Sequence, residues 1–206
     1  KLVAIFAALM LALNTSIPVF ATEGIQMESQ INDKVQNEKQ AISQEEAQKY
    51  ADRMIEEMKE GGLYIWNDTT KIDESVPMYD FEGNINSYLF RLKTNGIKQG
   101  YIVVNAIKAT AGVEICNDTG EYAVDIISKQ KIGRPIKKED SIIRSGTFYF
   151  LVEEDAQIYR ELATDNVLNV SKQELVSNYD RMIDQRIKNI KLQANANVQS
   201  SAPTSY

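Results

Sequence analysis

The sequence predicts an α+β domain: an antiparallel β-sheet of about five to seven strands packed with an N-terminal helix and a C-terminal helix. Three observations carry this expectation. A capped segment with helical apolar spacing opens the ordered part at Ser43. A second one begins at Ser171. Between them, "SYLFRLKTNGIKQGYIVVNA" alternates like a strand, breaks at Asn95-Gly96 and resumes as a β-branched and aromatic run.

The chain has 206 residues, 43% of them hydrophobic and 25% charged, the proportions of a globular protein with room for one core beside processing segments. Residues 1–21 carry Lys1, an apolar run from Leu2 to Leu13, and Val19-Phe20-Ala21 before a cut expected between Ala21 and Thr22. That is the layout of a secretory signal peptide, and its apolar run is too short for a spanning helix, which needs about 20 residues. The expected product is secreted, extracellular or held in the cell envelope, with no stable membrane insertion once the signal is removed. Cys116 is the single cysteine. An exported domain without an internal disulfide fits a Gram-positive bacterium, and Cys116 lies too far from the cut to be a lipid-attachment site.

Residues 22–41 are polar without a sustained period and read as a flexible lead to the domain expected over residues 42–190. Ser43 and Glu46 have the spacing of a capping box. Ala47, Tyr50, Ala51, Met54, Ile55 and Met58 then recur at helical spacing until Gly61-Gly62, which tolerate the left-handed conformation that ends a helix. Val76-Pro77-Met78-Tyr79 reads as an edge strand because proline cannot donate to a ladder. In the hairpin that follows, Tyr88, Phe90 and Leu92 form the buried face. Val113 to Cys116 and Glu121 to Ile127 are expected as strands about the turn Asn117-Asp118-Thr119-Gly120, with Tyr122, Val124 and Ile126 on one face.

Lys129 to Arg144 is a basic connection containing Gly133 and Pro135. Thr147 to Val152 is an aromatic strand that Gln157 to Leu162 can pair. Ser171 and Glu174 then cap a helix whose apolar positions are Leu175, Val176, Tyr179, Met182, Ile183, Ile187 and Ile190. Residues 191–206 are small and polar, the composition of a linker or tail.

Composition also excludes. With 23 Lys and Arg against 29 Asp and Glu, the net charge is -6, and no basic cluster marks a nucleic-acid face. No histidine is present, so neither a Ser-His-Asp nor a Cys-His catalytic set can be assembled from this chain. Cys116 sits among strand residues and acids that disfavour a thiolate. Phosphate-binding glycine loops and the ligand spacing of an EF-hand are missing, and Glu45, Glu46, Glu56, Glu57 and Glu153-Glu154-Asp155 read as solvated surface. No catalytic, metal or cofactor-binding residues are assigned, and the chain is expected not to be an enzyme.

The segments "SQEEAQKYADRMIEEM", "VPMYDFEGNINSYLFRL", "GYIVVNA" and "FYFLVEEDAQIYRELATDNVLNVSKQELVS" together resemble the N-terminal prodomain region of exported clostridial proteins that carry a papain-like cysteine peptidase domain. More distantly they are similar to the streptopain propeptide and its inhibitor relatives. The resemblance covers residues 42 to about 185, and the hairpin is its most specific part. It implies an α+β domain that docks on a papain-like cysteine peptidase, in cis or in trans, and keeps it inactive. The peptidase domain itself is not among these 206 residues. Two loops are candidates for occluding a cleft: Lys93 to Gly100, with Asn95 and Gly96, and Lys129 to Arg144, with Arg134 and Pro135. The alternative is an extracellular binding or cell-envelope module without an inhibitory role.

Overall fold

The computed structural model describes residues 37–62, 64–146, 150–155, 157–162 and 164–200. The expected signal peptide, its cut at Ala21-Thr22 and most of the polar lead lie outside them. The chain divides between Lys39 and Gln40 into two units. Of the first, the described part is a helical turn over 37–39. In the second, structure begins ahead of Ser43: Ala41 bridges Ile107, and the Ile42 amide donates to the Ala106 carbonyl at 2.7 Å.

Helix α1 (Gln44–Gly61) starts as its sequence dictates. The Glu46 amide donates to Ser43 Oγ at 3.1 Å, and Gly62, at φ +62°, closes the last turn. Ala47, Ala51 and Ile55 are buried, with Tyr50, Met54 and Met58 half-buried beside them.

The sheet has eight strands in the order β4-β3-β2-β1-β5-β6-β7-β8. These are β1 (Lys71–Tyr79), β2 (Ile85–Thr94), β3 (Ile97–Asn105), β4 (Gly112–Asn117), β5 (Ile143–Arg144), β6 (Phe150–Asp155), β7 (Ile158–Glu161) and β8 (Val167–Asn169). The expectation of an antiparallel sheet of five to seven strands is corrected on both counts. Among the described residues there are eight strands, and the sheet is mixed, because β1 and β5 run parallel through the pair Tyr79 and Ile143. Pro77 therefore occupies a strand with a neighbour on each side. It is tolerated because β5 pairs with β1 only at Tyr79, beyond the proline.

The β2–β3 hairpin folds as expected, with Asn95 at φ 53° and Gly96 at φ 78° making a two-residue turn. Both of its faces are buried. Tyr88, Phe90, Leu92, Ile102 and Val104 pack under α1, whereas Leu89 and Val103 join Val76, Met78, Tyr122, Val124 and Phe150 on the opposite side.

Residues Ala123–Ile132 form helix α2, not the strand expected over Glu121 to Ile127. Alternation of Tyr122, Val124 and Ile126 suggested a period of two, but Ile126 is exposed, and the buried positions within the helix are Val124, Asp125 and Ser128, which share one face, with Tyr122 buried at its cap. The turn before it does form: Asn117 Oδ1 accepts from the Thr119 amide at 2.9 Å.

Helix α3 (Lys172–Ser200) is capped at Ser171, whose Oγ accepts from the Glu174 amide at 3.2 Å. Its Ile183 and Ile187 are buried with Ile107, and Leu175, Val176 and Tyr179 pack on Phe81, Ile143, Leu151 and Tyr159. The helix continues through Ser200, into the segment whose composition predicts a linker. Among the described residues no helix is long and apolar enough to cross a membrane.

Candidate functional site

On the α2 face of the sheet, a cleft of about 160 Å³ opens between the start of β3, the turn after β4, and the connection after α2. Its floor is an ion pair that the sheet forces to form. Arg91 follows fully buried Phe90 on β2, so strand alternation turns it to the other buried side, where a lone cation would be costly. Asp125 of α2 meets it in a two-pronged contact, accepting from Nε at 2.8 Å and from Nη2 at 2.7 Å.

Arg91 also donates to Glu74 Oε2 at 2.8 Å and to the Ile136 carbonyl at 2.8 Å, while the Ile136 amide donates to Asp125 Oδ1 at 3.2 Å. One ion pair thereby ties β1, β2, α2 and the following connection. Burial works against the charge on Arg91, but the hydrogen bonds and charge of Asp125 more than offset it and raise its pKa further.

The walls follow from a close backbone approach. Gly100 has φ +81°, and a Cβ there would stand 2.8 Å from the Asn117 carbonyl, so β3 comes against the 117–120 turn only because this residue is glycine. Its amide donates to the Gly120 carbonyl at 3.1 Å. Deeper in, the Tyr101 and Tyr122 rings lie 4.9 Å apart. At the rim, Lys98 pairs with Asp73 at 2.9 Å and Lys129 pairs with Glu121. The bond from Lys98 holds the Asp73 carboxyl below the usual range.

The cleft carries Arg91, Lys98 and Lys129 against Asp73, Glu74, Glu121 and Asp125, a slight acidic excess with every cation matched.

Of the loop residues singled out from the sequence, Pro135 lines this cleft together with Lys98, Gln99 and Gly100, so the two candidate loops meet at one place. Asn95, Gly96 and Arg134 do not line it. Asn95 is fixed at the hairpin tip, its amide donating to Thr69 Oγ1 at 2.7 Å and its Oδ1 accepting from the same hydroxyl at 3.0 Å. Gly96 is the open second residue of that turn, with nothing within 4 Å of where a Cβ would stand. Arg134 is engaged by Asp140 at 2.7 and 2.6 Å and braces the connection from behind.

Arg91 and Asp125 were not anticipated. Their signal is a charge placed inside an apolar run on each element, "LFRL" and "AVDII", which calls for a partner once both faces are covered.

Cys116 is half-buried on β4, with Sγ 3.7 Å from Tyr64 Oη. Among the described residues no group of three or more Cys, Asp or Glu side chains is arranged to hold a metal ion. In comparisons with known proteins, the chain matches no family profile, no curated sequence and no solved structure.

Proposed function

We propose that this chain is exported, with cleavage after Ala21, and that its α+β domain is a non-catalytic module that docks on a papain-like cysteine peptidase and keeps it inactive, as a propeptide in cis or an inhibitor in trans. The observation that carries this reading is the meeting of Lys98–Gly100 and Pro135 around one cleft on a scaffold buried on both faces of its central hairpin. Loops held on a rigid sheet present a fixed shape at low entropic cost, which is what occlusion of an enzyme cleft requires. The matched charges of the rim suit a protein partner, and the resemblance of residues 42 to about 185 to peptidase prodomains supplies its kind.

The test is to add the purified protein to the papain-like peptidase of the same genome and follow residual activity over a concentration series. Inhibition with a complex on size exclusion is expected, and Lys98→Ala with Lys129→Ala weakens it about tenfold if the rim carries part of the contact. Unchanged activity at micromolar protein, with no complex, overturns the inhibitory reading and leaves an extracellular binding or cell-envelope module.

A further inference from the structure

A second cavity, of about 120 Å³, lies where α3 crosses the sheet beside β2, β3, β4 and β5, and it shares no lining residue with the cleft. Its polar wall is built around Glu114, whose side chain is 10% exposed. Arg144 Nη2 donates to Glu114 Oε2 at 2.6 Å, and Arg186 of α3 pairs with Oε1, which also accepts from Asn105 Nδ2 at 3.2 Å. Burial disfavours the charge on Glu114, yet the charge and bond of Arg144, joined by Arg186, more than offset this and hold its pKa below the usual range. The carboxylate stays ionised, so among the side chains that line the cavity two guanidiniums face one carboxylate, an excess of one positive charge; Asp80, outside the lining, also acts on Tyr179.

The hydrogen-bonding inventory is equally lopsided. The acceptors are in use: Asn86 Oδ1 takes the Ser87 hydroxyl at 2.9 Å, Asn105 Oδ1 takes the Ile107 amide at 2.9 Å, and both Glu114 oxygens are engaged. Donors remain. Arg144 is 5% exposed; its Nε and the Tyr122 hydroxyl are both buried without a hydrogen-bond partner of good geometry among the described residues, and the two side chains lie close enough to interact, which leaves the outer nitrogens of the guanidinium for the cavity. The Tyr179 hydroxyl accepts from Asn86 Nδ2 at 2.9 Å and keeps its own proton to give, because burial pushes its pKa up to about 12. A buried donor without an acceptor is unfavourable, and surplus donors beside surplus positive charge select an anion.

The rest of the lining sets the size and tail of that anion. Ile107, Met182 and Ile183 are apolar, and the space equals roughly four water volumes. We infer that this cavity binds a short aliphatic carboxylate, free or at the end of a peptide chain, with its head on Arg144, Tyr179 and Arg186 and its tail on Ile107, Met182 and Ile183.

Calorimetric titration of the full chain with propionate and with propionamide, at constant ionic strength, tests this. Propionate is expected to bind and the neutral amide not to. Arg186 is partly exposed and its Arg186→Gln variant removes one charge-assisted contact, so it should weaken propionate about tenfold or more. Tyr179→Phe keeps the ring, removes the donor and should weaken binding severalfold, a second reading should Arg186→Gln not fold. N-acetyl-dialanine beside its amide tells whether a chain end is accepted as well as a free acid. Equal binding of propionate and propionamide, no binding of propionate, or full affinity in a folded variant would overturn the assignment. None of these outcomes depends on peptidase inhibition.

Discussion

Phe90→Ala is expected to lower stability by about 3–5 kcal/mol, the loss found when a large buried side chain is cut back and its neighbours cannot close the gap. Phe90 is 0% exposed and lies between α1 and the β2–β3 hairpin, with the Tyr88 ring 6.1 Å away. Facing it, α1 presents Ala47 and Ala51, which are too small to swing into a void, and Ile55. Side chains this short on the helix side leave little to close the gap, so much of the space left by the ring stays empty. Urea unfolding reads the effect as a lower midpoint with an unchanged slope. A loss below about 1 kcal/mol would mean that α1 does not pack on this face.

Asp125→Ala is expected to cost about 3 kcal/mol, because it strands a guanidinium in a site built to be dry on most sides. The Arg91 side chain is 17% exposed and that of Asp125 5%. Glu74 continues to face Arg91, which keeps the loss at the lower end for a broken buried pair. Adding Arg91→Met to Asp125→Ala should recover most of it, since the unpaired charge rather than the missing carboxylate is the main cost. A double-mutant cycle measures the coupling, and simple additivity of the two losses would show that the pair is not energetically joined.

Several elements were legible because their signals are local. The Ser43 cap and the stripe ending at Met58 gave α1, Asn95-Gly96 gave the hairpin, and Ser171 with Glu174 gave the start of α3. Pairing of the strand ending at Val152 with the segment from Gln157 also appears, as β6 with β7. Helix α2 was hidden because Asp125, a polar residue in an apolar stretch, is buried only by virtue of Arg91, 34 positions earlier. No window of sequence contains both halves of that explanation. Strand β5 has two residues and β8 three, too few to display a period. The loops around the cleft were legible from their turn residues, but which of their side chains would face it depends on the glycine contact at Gly100 and on the ion pair beneath.

The single pair between Tyr79 and Ile143 divides the sheet into two four-strand blocks; across it the Tyr79 amide donates to the Ile142 carbonyl at 2.9 Å, and Asn86 Nδ2 of β2 donates to the Arg144 carbonyl at 2.6 Å. One block is a run of long hairpins, β1 to β4. The other is the short meander β5 to β8, tied back by side chains such as Ile142 and Phe150 on Val76 and Met78. A seam of one residue pair is where a sheet parts first, because separating the blocks there breaks the fewest ladder contacts. Deuterium is accordingly expected to reach the amides of β6 and β7 through a partial opening that leaves β2 and β3 protected, and mass spectrometry should record two uptake classes with their border between Tyr79 and Ile143. A single class spanning all eight strands would mean that side-chain packing across the seam, not the ladder, sets the unit of opening.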